Sequence, residues 1–344
     1  DKGSGMSECI KDTVYGKTGS EIDFNVNFDG TCDANTSRYA IIRVEYHNYT
    51  CYHLIFVRQG DSPDNLIAGG TRWHTKNMRT KTEEAESPLD EGSLFGRGNW
   101  DYPIDALNNK NPKEYWVNVT PKDFNNSYPA DGFFTIAGSG EKKKWSDIAK
   151  NADFTEPKTG WRVASASDYQ ALFDSDVIKQ GYGVLYGDGA KEVADDLNDV
   201  YGYDYTTSKA RGMRGCFVYN EQTGKNLFFP IGASGYGHRK DSRGESKIHV
   251  GILRYAASRN TYFSSNDASA LYPNGVNDCP LFYDIYMRPG AIYWYDKTGQ
   301  NKINGTTESN VGWDFNYFTF DFYPMGSWGT SGGMDACFVR CVEK

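Results

Sequence analysis

Glycine interrupts this chain so often that no long helix or long strand can run through it: 37 of its 344 residues are Gly. Each glycine inside a helix or strand weakens that element, while a turn or a left-handed backbone accepts it at no steric cost. The apolar runs between the glycines are short, and several of them alternate. Such a pattern leaves short strands and short helices, joined by tight turns and long loops. Bulk comes from 25 Tyr, 19 Phe and 8 Trp, rings that can bury a face and still present a polar edge. The length suffices for one large domain or two ordinary ones. Mean hydropathy is -0.67 and no apolar run approaches about 18 residues, so no membrane-spanning helix is expected. A formal net charge of -8 argues against a nucleic-acid partner, which needs a basic surface.

The first sixty or so residues read as strands. Ile22 to Phe28 alternates, Asp29-Gly30 supplies a turn, and Tyr39–Tyr46 and Cys51–Val57 are β-branched and aromatic around a polar turn at His47-Asn48. Gly60-Asp61-Ser62-Pro63-Asp64 marks a boundary. Residues 1–66 are therefore a β-rich lead-in, either a small segment in its own right or the end of an upstream immunoglobulin-like module. Asp1 to Gly5 reads as a processed or truncated start.

From residue 67 the texture predicts short helices between glycine turns. Ser165 with Asp168 forms a capping box ahead of the stripe Tyr169, Leu172, Phe173. A second stripe is Val193, Leu197, Val200, closed by Gly202. Lys142, Lys143 and Lys144 read as the solvated face of a short helix, and Asp101 as a helix cap. Strands follow: a hairpin of Cys216–Asn220 with Lys225–Phe229, then Ala291–Tyr295, then Ala336–Val342. The last of these puts Cys337, Val339 and Cys341 on one face and Phe338 and Arg340 on the other. Helices early and strands late make the class α+β.

Seven cysteines, an odd number, stand at 9, 32, 51, 216, 279, 337 and 341. Cys337 and Cys341, four apart in a strand, lie about 13 Å from each other, too far to bridge. No CxxC pair and no i,i+4 histidine pair appears, so no metal and no cofactor is assigned. Ser234, His238 and Asp241 lack the nucleophile elbow of a hydrolase. Arg211–Gly215 and Gly235–Arg239 are glycine-rich and basic without a strand-loop-helix context, and read as structural turns, with Arg239 as a candidate for an ion pair.

Four stretches in order carry a resemblance: GGTRWHTKNMRT at 69–80, GWRVASASDYQALF at 160–173, LFFPIGASGYGHR at 227–239, and FVRCVEK at the chain end. Over residues 67–344 the chain resembles the Fibrobacter succinogenes major paralogous domain. It departs from that family at Ala164, which stands in place of a proline, and at Leu253–Ser258. The resemblance implies a C-type-lectin-like or formylglycine-generating-enzyme-like domain: a twisted antiparallel sheet, short helices and long loops. It also implies an extracellular or cell-surface location in the Bacteroidetes manner. The role implied is that of an adhesin or fimbrial tip, whose partners are host or bacterial surface glycans or proteins and other fimbrial subunits. The same fold also serves hypervariable receptor-binding display proteins and an oxidase. The oxidase would need a reactive cysteine pair, whereas Cys337 and Cys341 fall in the family's structural terminal strand.

The stretch Val311–Trp328 mixes rings with short polar groups. Trp313, Asp314, Asn316, Tyr317 and Trp328 are the expected ligand-binding residues, on an exposed loop just before the terminal strand. Rings there cover the C–H faces of a sugar or peptide, and carboxylates and amides fix its orientation. Asn99-Trp100-Asp101 falls too early in the chain to be a calcium-dependent sugar loop.

Overall fold

The computed structural model describes, apart from a few single positions, residues 30–105, 133–185, 213–230, 236–240, 246–250, 290–295, 302–303, 306–307, 312–316, 321–324 and 335–344. The chain opens with strands β1 (Arg38–Tyr46), β2 (Cys51–Gln59), β3 (Trp73–Asn77), β4 (Ser93–Gly96) and β5 (Ile104–Asp105). It continues through β6 (Phe133–Thr135), β7 (Lys142–Lys144), a one-turn helix at Trp145–Ile148, β8 (Trp161–Val163) and a helix at Ala166–Ala171. Next come β9 (Ile178–Leu185), β10 (Met213–Asn220), β11 (Asn226–Pro230), β12 (Tyr236–Lys240) and β13 (Ser246–Val250). The C-terminal part holds β14 (Gly290–Trp294), β15 (Lys302–Ile303), β16 (Thr306–Thr307), β17 (Gly312–Asn316), β18 (Asp321–Pro324), β19 (Asp335–Cys337) and β20 (Arg340–Glu343).

Small antiparallel sheets therefore make the fold. Their orders are β11-β10-β9, β13-β12-β19-β4-β5, β14-β17-β18 and β3-β20-β8, with the β1–β2 hairpin packed alongside. This is compatible with the α+β class, but the weight differs from the sequence reading. Much of the region expected to be short helices is strand, and the two described helices have four and six residues. Helices this short do not hold themselves together and depend on packing. The lysine run shows why the reading failed. Lys142–Lys144 pairs with Phe133–Thr135 as β7, and the helix begins only at Trp145.

The end of the chain differs in detail. Instead of one strand there are two, β19 between β12 and β4, and β20 between β3 and β8, separated at Phe338-Val339. The alternation read from the sequence still holds across the break. Cys337, Val339 and Cys341 join Met78, Phe95, Trp100, Phe154, Val163 and Trp294 in one buried cluster. Phe338 and Arg340 turn the other way, toward Tyr293 and Phe229.

The hairpin is continuous in register from Arg38↔Gln59 to Tyr46↔Cys51, and Asn48 in its turn has φ 52°. Ile41, Leu54 and Phe56 pack on Phe217, Tyr219, Phe228 and Leu185 of the β9–β10–β11 sheet. Two glycines make room for those rings. A Cβ at Gly215 would stand 2.3 Å from the Phe228 ring, and one at Gly183 would stand 3.1 Å from Phe217. A polar clasp closes the same junction. Arg58 donates to the carbonyls of Asn226 (2.8 Å) and Ser62 (3.0 Å), and Lys225 meets Asp64 at 2.9 Å. The Tyr39 hydroxyl bonds the other Asp64 oxygen, and Asn220 Nδ2 donates to the Leu66 carbonyl at 2.8 Å. Residues 38–66 thus share a core and a hydrogen-bond network with residues after 66. The stripe at Val193, Leu197 and Val200 lies outside the described residues.

The capping box of the 166–171 helix forms as the sequence indicates: the Ser165 hydroxyl accepts from the Asp168 N–H, and the Asp168 carboxylate accepts from the Ser165 N–H. That carboxylate also takes both Arg162 terminal nitrogens and the Thr71 hydroxyl, tying β8, the helix and the lead into β3 together. Burial alone would raise the Asp168 pKa. The Arg162 guanidinium, followed by the Ser165 groups, outweighs it and holds the carboxyl below its ordinary value. A depressed carboxyl contributes stability above its unfolded value, about pH 4, and that contribution is lost as pH falls through the lower folded value. Asp168→Asn is therefore expected to lower stability at pH 7 by about 1–3 kcal/mol and to shrink the loss of stability below about pH 4. Urea melts of both proteins between pH 7 and pH 2 check this; parallel pH profiles would contradict it.

Candidate functional site

The structure moves Trp313 from the surface to the interior. It sits on β17, the central strand of β14-β17-β18, opposite Tyr293 on one side and Pro324 on the other, and is fully buried. Its indole lies flat against Tyr169 (centroids 5.8 Å, 8° between planes) and against Phe173 (5.1 Å, 23°). The stripe Tyr169, Leu172, Phe173 explains this placement. Tyr169 and Phe173 stand four apart on one side of the 166–171 helix and its C-terminal turn, and the strand brings Trp313 against both. Around Tyr169 stand Trp73 (4.9 Å), Tyr295 (6.0 Å), Phe229 (6.2 Å) and Tyr293 (6.4 Å). Trp313 is a core residue of this central strand.

Arg340 pins the same cluster. Its side chain is fully buried, with the guanidinium 4.6 Å from the Phe229 ring centroid. Nε donates to Asn77 Oδ1 (2.8 Å), Nη1 to the His74 carbonyl (3.0 Å) and Nη2 to the Phe228 carbonyl (3.0 Å). Asn77 in turn donates to the Glu91 carbonyl and the Tyr293 hydroxyl, which donates to the Pro230 carbonyl at 2.7 Å. Burial pushes the pKa of the guanidinium down, yet arginine starts high enough to remain charged. The sequence reading placed Arg340 on the ring-bearing face of the terminal strand but gave it no role. A charged residue at a core-facing position was the available signal, because such a group must be hydrogen-bonded to be buried.

The other expected site residues divide in two. Asp314 and Asn316 lie on β17, where Asp314 pairs with Ile292 and Tyr323, and Asn316 pairs with Gly290 and Asp321. They are strand residues and not part of a loop. Tyr317 and Trp328 lie outside the described residues.

Asp101 caps no helix. It is exposed, β5 follows it, and its own N–H donates to Asn99 Oδ1. Asn99 and Trp100 are structural: they donate to the carbonyls of Ile148 (2.7 Å) and Thr155 (3.0 Å). Met213–Gly215 and Gly237–Arg239 belong to β10 and β12 and are not turns, since both segments pair with neighbouring strands. Ser234 and Asp241 lie outside the described residues.

His74 and Glu84 have the residue types of acid–base chemistry. His74 Nδ1 is 2.9 Å from Glu84 Oε1, and the ring meets Trp161 edge-on at 4.2 Å. The His74 side chain is 1% exposed and that of Glu84 18%. Cys337 and Cys341 are buried as well. No group of three or more His, Cys, Asp or Glu side chains suited to a metal occurs among the described residues.

Comparison of the chain with protein-family models, with curated proteins and with solved structures gives no match. If Trp313 is core, Trp313→Ala should cost about 3–5 kcal/mol of stability, and Trp313→Phe, which keeps a ring against Tyr169, clearly less. Urea denaturation of the two variants decides. An alanine variant as stable as wild type would return Trp313 to the surface.

Proposed function

We infer that the chain is a non-enzymatic binding protein of the cell surface: an extracellular adhesin or fimbrial tip module on a C-type-lectin-like scaffold of the Fibrobacter succinogenes major paralogous type. Its ligand is a host or bacterial surface glycan or protein, with other fimbrial subunits as further partners. The observation that carries this reading is the anchoring of β17. Trp313, stacked along the 166–171 helix, fixes the strand, and Asp314 and Asn316 are the next positions along it. Polar residues carried by a strand anchored this way stand on a rigid scaffold, as a recognition surface requires.

The test uses two variants in the full chain. Asp314→Ala combined with Asn316→Ala, and separately Trp328→Ala, are each expected to weaken binding to cells or glycan-coated surfaces about tenfold or more. Melting temperatures should stay within about 2 °C of wild type. Undiminished binding by both variants would remove the C-terminal segment from recognition.

A further inference from the structure

We propose that the distal end of the β1–β2 hairpin carries a separate binding site for a neutral sugar, built from Tyr52, Arg43, Glu45 and Glu221 and backed by the buried Tyr219. The proposal rests on the reading of the chain as a surface binding protein, but it uses residues far in sequence from Asp314 and Asn316.

Register gathers these groups. Glu45 stands opposite Tyr52, and Arg43 opposite Leu54, so Arg43, Glu45, Tyr52 and Leu54 share one face of the hairpin. That face packs on β10, where Phe56 meets Tyr219 at 4.7 Å. Toward the hairpin turn the apolar contact runs out. Tyr52 is 50% exposed, more than any other large apolar side chain among the described residues. Its ring is nonetheless held. The Arg43 guanidinium lies 3.9 Å from the ring centroid, and Glu45 orients that guanidinium through a 2.7 Å ion pair. Glu221, exposed just after β10, borders the same place. Burial, then the Glu221 charge and the Tyr52 phenol, push the Tyr219 phenol up to about 12, so it remains a hydroxyl donor at neutral pH.

The chemistry selects the ligand class. An exposed ring on a rigid backing offers area to the C–H face of a sugar at little cost in side-chain entropy. The Glu45 and Glu221 carboxylates, the Arg43 guanidinium and the Tyr52 hydroxyl supply the acceptors and donors that a polyol engages, with Tyr219 buried behind them. Arg43 is already paired with Glu45, and the two carboxylates outnumber the one guanidinium, which disfavours a phosphate, a sulfate or an acidic sugar. Four side chains also form a small patch, whereas a stable protein partner covers about 800 Å² on each side.

Tyr52→Ala and Tyr52→Phe in the full chain test this, with binding to neutral oligosaccharides (cello-, xylo-, manno- and chitohexaose and N-acetyllactosamine) followed by saturation-transfer NMR and calorimetry. At least one sugar is expected to bind wild type, to bind Tyr52→Phe with affinity changed less than about threefold, and to bind Tyr52→Ala about tenfold or more weakly. The melting temperature of the alanine variant should stay within about 2 °C of wild type. Two results would overturn the hairpin site: no binding of any of these sugars to wild type, or sugar binding lost in the Asp314→Ala, Asn316→Ala variant but kept in Tyr52→Ala. The second result would leave the C-terminal reading standing. Cell binding that persists when no sugar binds would also leave that reading intact, with a protein ligand.

Discussion

The Arg340 guanidinium donates to three groups on two strands far from it in sequence: the Asn77 side chain and the His74 backbone on β3, and the Phe228 backbone on β11. It does so from a fully buried position against the ring of Phe229. A charge in such a place is tolerable only because donors meet acceptors. The neighbouring geometry is accordingly fixed. Asn77 must present its oxygen to Arg340, which turns its amide nitrogen toward the Glu91 carbonyl and Tyr293. Tyr293 then reaches the Pro230 carbonyl, and its strand β14 carries the neighbour of Trp313. One side chain near the end of the chain therefore sets how the β3-β20-β8 sheet, β11 and the β14-β17-β18 sheet meet.

That junction explains why the same residue types serve different purposes in different places. Rings near Arg340, among them Trp73, Tyr169, Tyr293 and Trp313, are interior and orient the scaffold. Rings farther along the hairpin, such as Tyr52 and Tyr46, are exposed at one end of an element whose other end is locked by the Arg58, Asp64 and Lys225 clasp. Rigid support with exposed groups at its margin is the arrangement that a binding protein needs, and it connects the packing to the proposed function.

Local signals in the sequence translated well where they rested on backbone chemistry. The Ser165–Asp168 box, the turn at Gly224 between β10 and β11, and the alternation of Cys337, Val339 and Cys341 all appear as read. Signals that depend on what lies opposite in space did not. Whether Trp313 faces ligand or core depends on Tyr169, about 140 residues earlier, and no local pattern contains that pairing. The lysine run failed for a related reason: β7 exists because Phe133–Thr135 pairs with it, and exposed lysines suit a strand edge as well as a helix face. The hairpin site was invisible because its rings and charges come from three stretches, two joined by strand register and the third by packing of the hairpin on β10.

A double-mutant cycle between Arg340→Leu and Asn77→Leu, read by urea denaturation at pH 7, addresses the claim that the Arg340 network organises the fold. Each single variant strands a buried polar partner and should lose about 3–5 kcal/mol. The double variant removes both and should be more stable than the sum of the two losses implies, by about 1.5 kcal/mol or more. Losses that add within about 0.5 kcal/mol, or an Arg340→Leu protein as stable as wild type, would contradict it.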